Sequence, residues 1–176
     1  GVRGWSGAPW WVRLVCGPYP RNRAAAEGAV ELGVARESEY GPADTLVAAS
    51  GLPLDDLDQC RATQFVLRDG ASIIATSTLE IRGEDAILRS VAVDPARRCE
   101  RLGEHIVAHA IDQAQTSGLR ALYLLTETAE GFFPRFGFTR EPRENAPPAI
   151  QASAEYCSVC GPAAVAMVLR LKRGDA

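Results

Sequence analysis

Three strand-like segments follow one another with no helix between them, and this arrangement limits the folds open to the chain. The segments cover 63–70, 71–83 and 84–93, and each is rich in Val, Ile, Leu or Thr. Asp69-Gly70 and Gly83 separate them, as expected for tight turns between paired strands. Consecutive strands joined by short turns run antiparallel, so a plain doubly wound parallel sheet fits this chain poorly.

Strands and helices alternate on either side of these three segments. Before them, a strand over 30–36 leads into a helix over 38–51, with Ser38 as its N-cap and Gly51 as its end, and a short second helix follows over 52–58. After them, the pattern predicts a helix over 102–118, strands over 119–127 and 138–141, a short helix over 129–137, a helical arm over 146–156 and a final strand over 163–172. The order predicts a mixed α/β sheet with helices on both faces.

The helix over 102–118 has the clearest amphipathic pattern. His105 and His109 lie four residues apart, but Asp112 shares their side of the helix, so we interpret them as a solvated polar face and not as metal ligands. The apolar stripe that predicts the buried side consists of Leu102, Ile106, Val107, Ala110, Ile111 and Ala114.

Chain length, net charge and cysteine content limit the classes of protein to which this chain can belong. The 176 residues suggest one domain over 30–173, with an extension over 1–29 and a tail over 174–176. The extension holds all three tryptophans and is either a poorly ordered tail or a docking segment. A net charge of -3 does not suggest nucleic acid, and no apolar run approaches the roughly 20 residues of a membrane span. Five scattered cysteines favour a reducing cytoplasm over a disulfide framework.

A basic turn between the third strand and the amphipathic helix is the strongest candidate for a binding site. Asp94-Pro95 ends the strand, Arg97 and Arg98 follow, and the helix opens near Leu102. The unpaired amides at a helix N-terminus are a natural site for phosphate, although a solvated arginine turn is the alternative. Neither G-x-x-x-x-G-K-[ST] nor G-x-G-x-x-G is present.

Two motifs in this chain resemble the GNAT superfamily of N-acetyltransferases. That family has [Q/R]-x-x-G-x-[G/A] between a strand and a helix, and the corresponding stretch here is RCERLG over 98–103. The second motif is AEGFFPRFGF over 129–138. A closer resemblance is to acetyltransferase-like proteins associated with arsenic resistance, carried by LRSVAVDP over 88–95, LYLLTETAEGFFPRFGF over 122–138 and ASAEYCSVC over 152–160.

The resemblance implies an α/β (α+β) fold: a mixed, mostly antiparallel GNAT-like sheet flanked by helices, with a splayed central strand pair. It implies an N-acetyltransferase that uses acetyl-CoA as cosubstrate, with no metal. The partner would be a small-molecule amine, amino-acid-like or linked to arsenic resistance, and neither nucleic acid nor a membrane. The protein would be a monomer or a homodimer.

The same resemblance implies where coenzyme A binds. The pyrophosphate would contact the amides of Cys99, Glu100, Arg101, Leu102, Gly103 and Glu104, and Arg97 and Arg98 would add positive charge. The pantetheine arm would follow the backbone of Val91, Ala92 and Val93. Two departures stand out. Arg101 replaces the family's first glycine. Phe133, which the resemblance also places among the cofactor-binding residues, occupies the position of the tyrosine that often acts as general acid.

Candidates for the acid–base chemistry come from strand ends. Glu80 and Glu127 could accept the proton of an amine, or they could be ordinary solvated carboxylates. Arg89 lies in the third strand with Ile87 and Val91 on its face, and it would bind either a substrate carboxylate or an internal glutamate. Thr126 and Tyr156 are predicted to line the acceptor pocket.

Two other interpretations stay open. A non-catalytic or degenerate acyl-CoA-binding protein would explain Arg101 and Phe133. A thiol-based metalloid-binding protein would use Cys157 and Cys160, although a CxxC pair alone is only half of a metal site.

Overall fold

A computed structural model describes residues 30–98, 100–159 and 161–172, without the side chains at 158 and 159. The predicted extension over 1–29, Cys99, Cys160 and the predicted tail over 174–176 lie outside the described residues. Seven strands form one sheet: β1 (Glu31–Val34), β2 (Gln64–Asp69), β3 (Ser72–Arg82), β4 (Asp85–Val93), β5 (Ala121–Thr126), β6 (Thr139–Arg140) and β7 (Val165–Arg170). The α-helices are α1 (Tyr40–Ala49), α2 (Leu102–Thr116) and α3 (Pro148–Gln151).

The strand order is β1-β2-β3-β4-β5-β7-β6. Strands β1 to β4 are antiparallel, as are β5, β7 and β6, and only β4 and β5 run parallel. The predicted mixed, mostly antiparallel sheet is therefore confirmed. The turns between the three consecutive strands are as predicted, with Gly70 and Gly83 at φ +59 and +66, a conformation that costs glycine little.

Strand β7 inserts between β5 and β6, although it follows both in the sequence. It pairs with β5 at six positions, from Ala121↔Arg170 to Thr126↔Val165. This pairing satisfies the backbone of the buried strand β5 along its whole length on the edge that faces away from β4. The central residues of β7 are paired on both edges, with β5 on one side and β6 on the other.

The central parallel pair is splayed, as predicted. β4 and β5 pair only at Asp85↔Ala121, Ala86↔Leu122 and Ile87↔Tyr123. Beyond Ile87 the remainder of β4 pairs with β3 alone, so its other edge is open. This open edge leads toward the turn that precedes α2.

Helix α2 covers one face of the sheet with the stripe predicted from the sequence. Leu102, Ile106, Val107, Ala110 and Ala114 are all buried in the main core. On the polar side, His105 is exposed as expected, but His109 packs edge-on against Phe65 at 4.9 Å between ring centroids. Burial there lowers the pKa of His109.

Helices α1 and α3 cover the opposite face with smaller clusters. Val66 packs with Ala35 and Ala43 near α1, whereas Tyr123 packs with Ile150 near α3. Every apolar layer therefore lies between the sheet and a helix, as expected for an α/β domain.

Three local predictions were wrong. Ser38 is not an N-cap, because it lies inside a 3-10 turn over Glu37–Glu39 that precedes α1. The stretch 52–58 is not a helix, since the 3-10 helix begins only at Leu57 and continues to Thr63. The arm over 146–156 is not one helix, because it is divided between α3 and a π-helical turn over Glu155–Val159. All three segments are short, and short helices have little stability of their own, so tertiary contacts decide their form.

Candidate functional site

A β-bulge in β4 lies beside the splay. Arg89 pairs with Thr78 and Ala92 with Thr76, so Ser90 and Val91 together oppose the single residue Ser77. Ser90 adopts φ 54, a left-handed conformation that is rare for residues other than glycine. Bulges take a backbone group out of the sheet ladder and re-aim the strand, and strained residues of this kind cluster at functional sites.

The bulge also changes which side chains share a face. Ile87 contributes to the core cluster on the α3 side, whereas Val91 packs against the core on the α2 side. The prediction that Arg89 shares a face with both Ile87 and Val91 is therefore wrong for Val91. The predicted pantetheine residues Val91, Ala92 and Val93 do lie on the open edge beyond the splay.

The open edge of β4 ends at the N-terminus of α2. The turn between them is fixed by Asp94, whose side chain accepts the Ala96 N–H at 2.9 Å. Arg101 is the N-cap of α2 with φ 58 and ψ 20, and no side chain caps the helix. Leu102, Gly103 and Glu104 therefore form a first turn whose amides have no helical acceptor.

Arg101 occupies the left-handed conformation that glycine adopts without strain, which explains why glycine is expected at this position. Its side chain points along the helix and donates from Nε to Glu104 at 2.8 Å. Glu104 also accepts from Arg135 at 2.7 Å. Burial acts to raise the pKa of Glu104, but the two arginines outweigh it and lower the pKa overall.

The remaining arginines of the turn have partners as well. Arg97 donates to Asp69 at 2.6 Å and to Glu100 from Nε at 2.8 Å. Arg98 is half-buried, and burial lowers its pKa. The basic turn, meaning residues 97–104 without Cys99, is thus a surface network in which carboxylates hold the arginines near the helix N-terminus.

A second group of arginines lies on the opposite face of the sheet around the buried Arg89, with Arg82 half-buried at its edge. Arg89 donates to Glu80 at 2.8 Å and to the carbonyl oxygen of Asp55 at 2.7 Å, and it forms an ion pair with Glu155 at 3.3 Å. Arg82 donates to the other oxygen of Glu80, with Nε at 2.8 Å. We call Glu80, Arg82, Arg89 and Glu155 the buried arginine cluster.

The buried arginine cluster answers one question that the sequence left open. Arg89 has internal glutamates as partners, and its side chain is 0% exposed, so its guanidinium is not available to a substrate carboxylate. Burial acts to lower the pKa of Arg89, but the charges of Glu155 and Glu80 outweigh it and raise the pKa. Both oxygens of Glu80 accept hydrogen bonds from arginines.

The other predicted site residues are dispersed around the splay. Glu127 is exposed at the end of β5, and its Oε1 accepts the Gly161 N–H at 3.3 Å. Thr126 is buried and accepts the Ala129 N–H at 2.8 Å, so its hydroxyl holds the following turn. Tyr156 is buried in the cluster on the α3 side.

Phe133 lies in a 3-10 helix over Phe133–Phe136 and is buried in the main core between Phe132 and Phe138. Its place among the cofactor-binding residues stays a prediction. It carries no hydroxyl and cannot donate a proton.

Sequence reasoning missed several members of both arginine networks. Asp69 and Arg135 join the basic turn from β2 and from the 3-10 helix, while Asp55 and Glu155 join the buried arginine cluster. These partners lie far apart in the sequence, and no spacing rule connects them. Glu155 is next to the predicted site residue Tyr156 in the sequence, but only the fold brings it to Arg89.

Metal and membrane sites are not evident in the part of the chain that the structure describes. No three His, Cys, Asp or Glu side chains there are grouped so that they could hold a metal ion. None of the helices within 30–98, 100–159 and 161–172 is both long enough and apolar enough to cross a bilayer.

Comparison with known proteins supports an acetyltransferase fold. The model of the acetyltransferase (GNAT) family matches residues 35–138. No curated protein sequence matches the chain. N-acetylglutamate synthase from Neisseria gonorrhoeae, solved with coenzyme A and N-acetyl-glutamate, is 18% identical with a TM-score of 0.71. The alignment covers 84% of this chain but only 36% of the synthase.

Two smaller proteins align over nearly their whole length. A Mycobacterium tuberculosis protein solved in complex with CoA is 21% identical with a TM-score of 0.69, over 81% of this chain and 99% of that one. The ribosomal-protein-S18-alanine N-acetyltransferase of Escherichia coli is 17% identical with a TM-score of 0.58, over 83% and 97%. At these identities the likeness shows the fold, and the family model, which matches more than half of the chain, shows that this protein belongs to the acetyltransferase (GNAT) family.

Proposed function

We propose that this protein transfers an acetyl group from acetyl-CoA to the amine of a small molecule, by direct attack of the neutral amine on the thioester. One observation carries the proposal: the open edge of β4 runs past a bulge and ends at the uncapped N-terminus of α2. An extended thioester arm that ends in a pyrophosphate has the shape and the charge to match this path.

The residues present fit coenzyme A. The amides of Leu102, Gly103 and Glu104 have no acceptor within the helix and no capping side chain, and they suit phosphate oxygens. Val91, Ala92 and Val93 would pair with the amide groups of pantetheine through the backbone, as a strand would. Coenzyme A supplies the activated acyl group as cosubstrate.

Phosphates would have to compete with carboxylates for the arginines. Arg97 and Arg101 both have carboxylate partners in the turn, but these pairs are partly or largely exposed, and exposed ion pairs are weak. A pyrophosphate can therefore replace Glu100 or Glu104 at little cost. Arg98 would add a third positive charge near the phosphates.

The bulge suggests how the thioester oxygen is stabilised. An amide at Ser90–Val91 that is not used in the ladder could donate to the oxygen as negative charge develops on it. Phe133 cannot protonate the departing thiolate, which leaves water or Tyr156 as the proton donor. Tyr156 and Thr126 are proposed to lie at the acceptor side of the splay.

Of the two candidate bases, Glu127 suits the role better. It is exposed at the end of β5, and one of its oxygens accepts only a long hydrogen bond from Gly161. Glu80 is buried, with both oxygens bonded to arginines, so an amine has no access to it. Proton acceptance also requires hydrogen-bonding reach to the substrate amine.

An amino-acid-like amine is the acceptor we propose. The printed name of N-acetylglutamate synthase refers to acetylated glutamate, which motivates testing amino acids first. The link to arsenic resistance rests on the segments 88–95, 122–138 and 152–160 alone. This link can be tested by expressing the wild-type protein and Glu127→Gln in an arsenic-sensitive bacterium. The wild-type protein should protect the cells against arsenic, and the variant should not.

Calorimetry with acetyl-CoA is the direct test. We expect acetyl-CoA to bind to wild type, to Arg101→Gly and to Arg120→Ala. The last variant is the control, because Arg120 forms an exposed pair with Glu84 at the opposite end of β4. The proposal is refuted if neither wild type nor Arg101→Gly binds acetyl-CoA. If only Arg101→Gly binds, the arginine at position 101 has cost the natural protein its affinity for the cofactor. Release of free thiol over a panel of amino acids and small amines then identifies the acceptor.

A non-catalytic acyl-CoA-binding protein is the second candidate, favoured by the absence of a hydroxyl at Phe133. It predicts acetyl-CoA binding without thiol release for any amine in the panel. Thiol release above the rate of spontaneous hydrolysis, lost in Glu127→Gln, would exclude it.

A further inference from the structure

We infer that Arg89 is a positioning residue that sets the gap between two segments on the acceptor side of the proposed active site. The segments are the connection over 52–56 and the π-helical turn Glu155–Val159. The inference deepens the proposed function and rests on it, but the geometry that carries it is independent of any ligand.

One guanidinium joins three parts of the fold. Arg89 donates to the Asp55 carbonyl at 2.7 Å and to Glu80 at 2.8 Å, and its ion pair with Glu155 measures 3.3 Å. Asp55 precedes the first 3-10 turn after α1, and Glu155 opens the turn that follows α3. The two segments arrive from different ends of the chain and meet at this side chain.

The direction of the guanidinium is also fixed from within the sheet. Glu80 holds one side of it from the neighbouring strand, and Arg82 in turn holds the other oxygen of Glu80. The Arg89 side chain is 0% exposed, so water does not compete for these contacts. A planar guanidinium offers donors in a rigid fork, whereas a lysine ammonium is a single flexible point charge.

The position of Arg89 in β4 gives the contacts a functional meaning. It immediately precedes Ser90, the left-handed residue of the bulge that is proposed to face the thioester. A shift of Arg89 would therefore move the acceptor-side segments relative to the bulge. A displacement of about 1 Å in such a geometry can cost on the order of a hundredfold in rate.

Cofactor binding should not depend on this side chain. The basic turn and the α2 N-terminus are held by Asp69, Glu100, Glu104 and Arg135, none of which bonds to Arg89. Loss of Arg89 should thus separate the two substrates: the acceptor KM rises while the affinity for acetyl-CoA stays the same. A residue with only a structural role would affect both.

Hydrogen exchange and kinetics test the inference with three variants. Arg89→Lys removes the fork, Glu155→Gln removes one charge, and Arg68→Lys is the matched control. Arg68 is also a buried strand arginine with a glutamate partner, Glu39, but it lies on β2 away from the splay.

We expect exchange in Arg89→Lys to rise about fivefold or more in peptides over 52–58 and over 153–157, with 102–116 unchanged. Arg68→Lys should leave both segments unchanged. With the best amine from the panel, the acceptor KM of Arg89→Lys should rise at least about tenfold while its affinity for acetyl-CoA stays within about twofold. Unchanged exchange in both segments, or an equal rise in α2, would overturn the inference.

Glu155→Gln keeps the inference testable if Arg89→Lys does not fold. Faster exchange over 153–157 but not over 102–116 is expected, and unchanged exchange at 153–157 would count against the positioning role. Failure of the proposed function gives a different result, namely no acetyl-CoA binding by wild type, and the exchange measurements do not depend on it.

Discussion

The buried arginine cluster and the basic turn are both built from arginine and carboxylate side chains, but their exposure to solvent differs. In the buried arginine cluster the side chains of Arg89, Glu80 and Glu155 are 0%, 5% and 8% exposed. In the basic turn, Arg101 and Glu100 are 65% and 42% exposed. Desolvation therefore governs the first network, and solvent screening governs the second.

The difference indicates which arginines can serve a ligand. A buried ion pair loses several kcal/mol if one partner is removed, because the other charge is left without compensation. An exposed pair contributes about 0–1 kcal/mol and can exchange its carboxylate for a phosphate. Exposed arginines at a helix N-terminus suit a reversible cosubstrate, whereas buried ones suit a fixed framework.

The largest effect should come from removing the buried charge. Arg89→Met leaves Glu80 and Glu155 without their common partner, and we expect a loss of about 3–5 kcal/mol in the free energy of unfolding. Urea unfolding measures it, with Arg101→Met as the exposed counterpart, for which at most about 1 kcal/mol is expected. Equal losses at the two positions would break the comparison.

Acid titration should sharpen the comparison at a pair of intermediate burial, Arg68 with Glu39. A hydrogen bond from Arg68 is the largest cause that lowers the pKa of Glu39 from 4.5 to about 2. The lowered pKa means that this stabilisation is present above pH 4.5 and is lost as the pH falls toward 2. One pKa unit corresponds to 1.36 kcal/mol, but solvent screens this partly buried pair, so we expect about 1–2 kcal/mol over this interval.

Glu39→Gln should remove that part of the acid unfolding curve. Glu84→Gln is the control, because the Glu84 side chain is 67% exposed and pairs only at the surface with Arg120. Circular dichroism from pH 6 to pH 2 measures both variants. An unchanged curve for Glu39→Gln would mean that the pair of Arg68 with Glu39 does not govern acid stability.

A smaller effect is expected at the N-cap of α2. Arg101→Gly relieves a left-handed conformation that costs other residues roughly 1–2 kcal/mol, but glycine loses more chain entropy on folding. We expect a net gain of up to about 1 kcal/mol in thermal unfolding experiments. Arg101→Ala retains the strained Cβ and loses the pair with Glu104, so it should show no gain, and equal stability of the two variants would contradict the explanation.

The smallest change in stability should come from Arg97→Ala. Its contacts with Asp69 and Glu100 lie at the surface, so we expect a loss below about 1 kcal/mol that shrinks further in salt. The affinity for acetyl-CoA should fall more clearly, and this loss should also diminish as salt rises. Calorimetry at low and high ionic strength checks both statements, and salt-independent binding would argue against phosphate recognition by this turn.

Much of the fold was predictable, for physical reasons that particular elements illustrate. The helix that begins at Leu102 has an apolar stripe, and the hairpin at Gly70 has a turn residue of the required conformation, so local patterns suffice. The insertion of β7 beside β5 was not predictable, because strand order depends on long-range pairing. The bulge at Ser90 was not predictable either, because the residue with positive φ there is a serine and not a glycine.

The sequence by itself determined the family, the position of the basic turn before α2 and the consecutive antiparallel strands. Each depends on residues that are close together in the chain: RCERLG over 98–103, AEGFFPRFGF over 129–138, and turns of two or three residues. Only the tertiary structure decided the partners of Arg89. Whether a strand arginine meets a glutamate or a substrate depends on which distant segments pack beside it, and here the fold places Asp55 and Glu155 there.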